Sequence, residues 1–208
     1  FGSKNSGGTN VGRVFGMKIG AATIILDALK TVLPMILVWV FLNFAGLKDV
    51  FVNNFGQNFF HDGITMIMLA PLGATIGHCY PIFAHFKGGK AVASYAGFAI
   101  ATCWMTFGIS VIAFVITLKK SKFVSLSSII GSLVSTLGAW ILVIISFVAP
   151  ELNVNFAFWG FGSSQLWAVC SIEFAVVSTL IGLLLCVRHI SNIKRLASHS
   201  ESKIKWMK

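Results

Sequence analysis

Five apolar runs, residues 19–44, 64–86, 91–118, 126–149 and 165–187, dominate the chain. Each exceeds the roughly 18 to 20 residues that a helix needs to cross the hydrocarbon core of a bilayer. Only 11% of the 208 residues are charged, against about 25% in a soluble domain of this size. The chain therefore reads as an all-α polytopic membrane protein, one integral-membrane domain over residues 1–208. Its bases are as unevenly spread as its apolar residues. Fourteen of the sixteen Lys and Arg fall in four short stretches between the runs: 4–18, 87–90, 119–122 and 188–208. Cytoplasmic loops carry the excess of Lys and Arg, so all four stretches are expected inside.

Counting crossings from that rule gives a consistent topology with one exception. The run 91–118 is basic on both flanks, so it must cross an even number of times. As one helix its 28 residues span about 42 Å, whereas two full crossings need roughly 40 residues. Two short helices or a re-entrant hairpin, turning between Thr102 and Gly108, resolve the conflict and bring the bundle to about six crossings. A single long helix that breaks the charge rule at Lys119, Lys120 and Lys122 is the alternative. In the outer loops, Phe51, Phe55 and Phe59 are spaced for a helix lying in the interface. Phe156, Phe158, Trp159 and Phe161 read as an aromatic belt.

The net charge of +10 does not point to nucleic acid, because the bases flank membrane spans and no nucleic-acid motif is present. Anionic lipid headgroups or small anionic substrates suit it better. Cys79, Cys103, Cys170 and Cys186 sit singly in apolar runs, which is neither a metal pattern nor a disulfide framework. Within the spans, Asp27 and Lys30 are three apart and can face one side, as a functional pair or as a lock on helix packing. Glu173 lies in the last run with no partner visible in the sequence. The chain starts at Phe1, and an upstream segment is expected.

The four basic stretches carry the polar chemistry. In the first, Ser3, Asn5, Gly7, Gly8, Thr9 and Asn10 precede Arg13. Glycines there would let backbone N–H groups converge on a phosphate, with a helix N-terminus behind them; a flexible linker fits the composition equally well. The second, Lys87, Gly88, Gly89 and Lys90, sets two ammonium groups around a glycine turn, beside the plainer reading of charges flanking a span. In the third, Ser127 or Ser128 is placed to cap the following helix or touch an anion. In the fourth, a continuous helix would put Arg188, Asn192 and Arg195 on one face with His189 at its edge, and Glu201 follows.

In this order and spacing the stretches resemble the signatures of the PlsY-type acyl-phosphate:glycerol-3-phosphate acyltransferases of bacterial membranes. The resemblance rests on the loop ending Gly8, Thr9, Asn10 and Arg13, on the Lys-Gly-Gly-Lys turn preceded by Gly77, His78 and Pro81, and on the Ser125 to Ile129 junction. The tail His189, Asn192, Ile193, Arg195, Leu196 completes it. It covers essentially the whole chain and implies a further span upstream of Phe1. The chain departs from the family pattern at Lys4, Ala91 and His199, where the family has Gly, at Gly8, where it has Ala, and at Ser94, where it has Thr.

The resemblance implies transfer of a fatty acyl group from acyl phosphate to the 1-hydroxyl of glycerol 3-phosphate, giving lysophosphatidic acid and phosphate in phospholipid biosynthesis. It implies no cofactor or metal, a bacterial cell membrane, and an active site on the cytoplasmic face. His189, Asn192, Lys90 and Ser3 would be catalytic. Asn5, Gly7, Gly8, Thr9, Asn10, Arg13, Lys87, Gly88, Gly89, Ser128, Arg188, Arg195 and Glu201 would bind substrate. His189 or the departing phosphate would take the proton. A membrane transporter for a phosphate-bearing anion or lipid is the second reading, kept by Asp27, Lys30 and Glu173 and weakened by polar motifs crowding one face.

Overall fold

The computed structural model describes residues 6–44, 64–149 and 172–204. Helix α1 (Gly8–Phe15) turns at Gly16 into α2 (Met17–Phe44). Helix α3 (Ile64–Cys79) runs through a 3-10 turn (Ile82–Ala84) and the 87–90 turn into α4 (Val92–Thr102). Then come α5 (Trp104–Ser121), α6 (Val124–Val148), α7 (Ile172–Arg188) and α8 (Ile190–Ala197). Among the described residues there is no strand. Four segments are long and apolar enough to cross a membrane: Met17–Leu42, Ile67–Ala84, Trp104–Ser121 and Val124–Val148. The pair α7 and α8, bent by 56°, adds a fifth if it counts as one span. The phenylalanines 51, 55 and 59 and the aromatic cluster at 156–161 lie outside the described residues.

The run 91–118 is two helices, as expected, with the break at Cys103. Helix α4 has 11 residues, about 16 Å, too short to cross the core. Broken backbone at membrane depth must be covered by protein. Thr102, Cys103 and Thr106 are all buried, and the Thr106 hydroxyl donates to the Cys103 carbonyl at 3.0 Å. Basic residues end α5, and a left-handed Lys122 turns the chain directly into α6.

Small residues let α6 pack closely on its neighbours. A Cβ added at Gly131 would press on Ser110 and Phe114 of α5, and one at Gly138 would press on Ile109 and Thr106. Deeper in the bundle the Tyr95 hydroxyl meets Thr136 at 2.8 Å and Ser178 at 2.7 Å, tying α4, α6 and α7 together. Phe98 packs on Phe174 beside it.

Helix α1 folds back onto the start of α2 through glycines. A Cβ on Gly20 would fall 2.6 Å from the Gly12 Cα, and Gly8 lies against Ile24 with no room for one. At 28 residues, α2 is about 42 Å long, some 12 Å more than the hydrocarbon core. Asp27 and Lys30 form the expected pair, at 2.9 Å. Asp27 also meets His78, one residue from the end of α3. Glu173 is half-buried near the start of α7 and does not line the cavity described next.

Candidate active site

At the basic face a cavity of about 1090 Å³ opens between α1, α2, the 87–90 turn, α4, α5, α6 and the α7–α8 corner. Lys90, Asn192, His189 and Ser128 all line it. So do Gly7, Gly8, Thr9, Asn10, Arg13, Lys87, Gly88, Arg188, Arg195 and Glu201. Four sequence-distant stretches thus meet in one chamber. Gly89 belongs to the turn behind it, and Ser3 and Asn5 lie outside the described residues. On the bundle side the wall turns apolar, with Phe107, Val111 and Phe114.

One wall is a closed network centred on Glu201. Lys90 Nζ donates to Asn192 Oδ1 at 2.7 Å, and Asn192 Nδ2 donates to Glu201 Oε1 at 2.7 Å. Ser125 donates to the same oxygen at 2.9 Å, and Arg195 Nε donates to Oε2 at 2.7 Å. Burial alone would raise the Glu201 carboxyl, but these three donors outweigh it and hold the group below its ordinary value. Lys90 is pushed down by burial, with Glu201 opposing and Arg195, Arg13 and Arg188 adding to the fall. The tail beyond Glu201 is tied down by the Ile204 amide donating to the Lys122 carbonyl at 3.0 Å.

The 87–90 turn is braced from behind. The Gly88 and Gly89 amides donate to the Cys79 and His78 carbonyls at 3.2 and 3.1 Å. Arg188 donates through Nη2 to the Gly88 carbonyl and through Nε to that of Gly89, with its guanidinium over the Tyr80 ring. These glycine amides therefore face α3, while Gly88 also lines the cavity. Arg188 and Arg195 likewise hold protein rather than standing free as clamps.

Helix α7 ends at Arg188, and the chain bends at His189 before α8. The expected single helix through Arg195 is therefore replaced by two. His189 has φ −100° and ψ 2°, and its amide is shared between the Leu185 and Cys186 carbonyls. Its side chain is buried, with Nδ1 2.9 Å from the Leu185 carbonyl. A carbonyl only accepts, so Nδ1 carries the proton and Nε2 keeps its lone pair. Burial lowers the His189 pKa to about 4, opposed by that hydrogen bond, which raises it.

The opposite wall is open. Of the stretch 3–10 the structure describes residues 6–10: from Gly8 onward it is helix, and the first turn of α1 presents its N-terminus to the cavity. Arg13 and Lys87 are exposed, and Arg13 makes no hydrogen bond or ion pair among the described residues. Ser127 and Ser128 cap nothing: their hydroxyls donate back to the Phe123 and Val124 carbonyls. Sequence reasoning missed the part of Ser125 and the contact between Asp27 and His78. The hydroxyl-rich junction signalled the first, and nothing in the sequence signalled the second.

The chain matches the family described as glycerol-3-phosphate acyltransferase over residues 1–199. It belongs to that family. The glycerol-3-phosphate acyltransferase of Listeria monocytogenes serotype 4a (strain HCC23) is 34% identical over 212 residues, covering 100% of this chain and 82% of the relative. That of Enterococcus faecalis (strain ATCC 700802 / V583) is 33% identical, covering 99% and 78%. Two crystal structures of PlsY, an integral membrane glycerol 3-phosphate acyltransferase, are similar in fold. The glycerol 3-phosphate form has a TM-score of 0.68 at 27% identity, covering 98% of this chain and 80% of that one. The lysophosphatidic acid form has 0.66 at 26%, covering 97% and 80%. This membership favours the acyltransferase reading and leaves the transporter unsupported.

Proposed function

We propose that this glycerol-3-phosphate acyltransferase moves a fatty acyl group from acyl phosphate to the 1-hydroxyl of glycerol 3-phosphate, releasing lysophosphatidic acid and phosphate. It acts as one domain at the cytoplasmic face of a bacterial cell membrane. The observation that carries this reading is the amphiphilic cavity: cations and a helix N-terminus at its basic end, Phe107, Val111 and Phe114 on its bundle side. Phosphate heads suit the first and an acyl chain the second.

Electrostatics set the need for so many cations. Each phosphate carries about −1.5 to −2 near neutral pH. Two of them about 5 to 6 Å apart repel by about 6 to 13 kcal/mol at an effective dielectric of 20. Lys90, Arg13 and Lys87 offset that repulsion, with Lys90 and Arg13 on glycerol 3-phosphate and the start of α1 on the acyl-phosphate head. Acyl phosphate is already an activated anhydride, so positioning and charge stabilisation supply most of the rate and no covalent enzyme intermediate is required.

In the reacting complex the 1-hydroxyl oxygen bonds to the acyl carbon while the bond from that carbon to the phosphate oxygen breaks. His189 Nε2 accepts a hydrogen bond from the hydroxyl and aims it. With a pKa of about 4, His189 is a weak base. The departing phosphate, which gains a negative charge as its bond to the acyl carbon breaks, takes the proton.

The test is release of inorganic phosphate from palmitoyl phosphate by the purified protein, with and without glycerol 3-phosphate. Release should depend on glycerol 3-phosphate and match lysophosphatidic acid formed. Release that ignores glycerol 3-phosphate would rule the acceptor out.

A further inference from the structure

Asp27 is an acid in a chamber whose substrates are anions, yet it is only 4% exposed and lines the wall. Left facing a phosphate it would repel it. Its charge is instead directed at protein. Asp27 Oδ1 takes the Lys30 ammonium at 2.9 Å and lies 3.5 Å from His78 Nδ1 on α3. The other edge of the His78 imidazole faces the backbone of Gly89: a Cβ built there would run into Nε2 and its neighbouring ring carbons. The His78 carbonyl takes the Gly89 amide from the same side at 3.1 Å. His78 thus touches the turn twice, and the residue after Gly89 is Lys90.

We propose that Asp27 and His78 form a positioning pair that sets the 87–90 turn and, through it, where Lys90 Nζ meets the phosphate of the acceptor. This rests on the assignment of Lys90 to glycerol 3-phosphate. His78 is no base for the reaction, because its Nε2 is turned to Gly89 and its Nδ1 to Asp27. The pair acts from α2 and α3, and Arg188 holds the same turn from α7 through the Gly88 and Gly89 carbonyls. The ring sets how closely the turn can approach α3, and Asp27 holds the ring in one orientation. Only glycine leaves room for the imidazole at position 89.

The experiment measures KM for glycerol 3-phosphate and kcat separately in the full-length protein. His78→Ala and Asp27→Asn should each raise KM about tenfold, with kcat within about threefold of wild type. Lys90→Met should raise KM at least as far, and adding His78→Ala to it should add little, since both act on one contact. Gly89→Ala forces the turn off the ring and should be the most damaging single change; His78→Ala in the same chain should recover part of the loss.

If Lys90→Met leaves KM unchanged, the assignment of Lys90 fails and the proposal falls with it. If Lys90→Met raises KM while Asp27→Asn and His78→Ala match wild type, the pair alone is refuted. A fall in kcat at constant KM would make His78 a chemical participant and overturn positioning. Should His78→Ala fail to fold, Asp27→Asn keeps the side-chain shape and decides alone: a normal KM in that variant refutes the pair.

Discussion

The two walls of the cavity carry similar side chains and use them in opposite ways. On the α8 side, Lys90, Asn192, Arg195, Ser125 and Glu201 satisfy one another in a chain of bonds between 2.7 and 2.9 Å. On the α1 side, Arg13 and Lys87 are exposed to the chamber with the first turn of α1 between its walls. A partnered group has lost its freedom before substrate arrives, so it fixes geometry at little cost when it binds. An unpartnered cation keeps its hydration and its mobility, and it recruits anions without aiming them. The closed wall therefore governs geometry and stability, and the open wall recruits anions.

Removing the hub of the closed wall gives the largest expected effect. Glu201→Ala leaves Asn192, Ser125 and Arg195 without their acceptor, each a bond to a charged group, and should lower kcat/KM about 100-fold or more. It should also lower the midpoint of thermal unfolding in detergent. Near-normal turnover in this variant would erase the distinction between the walls. Arg13→Ala probes the other side. KM for glycerol 3-phosphate should rise about threefold to tenfold, and the effect should shrink in high salt because the side chain is exposed. Its unfolding midpoint should match wild type. A large stability loss there would mean that the open wall is structural after all.

Much of this division is legible in the order of the residues alone. Parity places four basic stretches on one side; three of them line one cavity, and Val124, Ser125 and Ser128, just after the 119–122 stretch, line it too. Charge on both flanks of 91–118 demands a break, and Cys103 provides it. These inferences rest on periodicity and charge, which a sequence carries locally. The partnering within the walls is not legible in that way. Ser125 and Glu201 stand 76 positions apart, and their bond depends on where the tail crosses the α5–α6 corner. Asp27 reaches His78 only through the rotation and depth of α2 against α3, which hydropathy leaves unspecified. The bend at His189 is hidden for a related reason: a one-residue change of ψ needs no proline or glycine to announce it.

His189 joins the closed wall without sharing its charge, and pH separates the two. Its folded pKa of about 4 lies below the ordinary 6.5, so the neutral ring contributes stability above pH 6.5 that is lost as pH falls toward 4. Replacing it by Gln removes the titration. The stability gap between wild type and His189→Gln should therefore narrow as pH drops through that window, in thermal unfolding of the ligand-free protein. A gap constant from pH 7 to pH 4 would show that burial does not depress the ring.

The smallest expected effect lies in strained backbone beside the closed wall. Ala91, directly after the 87–90 turn, has φ 63°, and His199, between α8 and Glu201, has φ 54°. Both are positions at which the family pattern has glycine, and both hold a left-handed conformation that costs an L-residue roughly 1 to 2 kcal/mol. Ala91 is fully buried, and it opens α4 with no side-chain cap. Ala91→Gly relieves the strain and gives back part of the gain through the greater freedom of the unfolded chain. The net expectation is about 0.5 to 1 kcal/mol of added stability, read from denaturant unfolding. Turnover should change little, because Lys90 is already held by Asn192 and its turn by Arg188. If Ala91→Gly instead weakens glycerol 3-phosphate binding, the backbone at residue 91 is itself part of what aims Lys90, and the closed wall extends one residue further than its hydrogen bonds indicate.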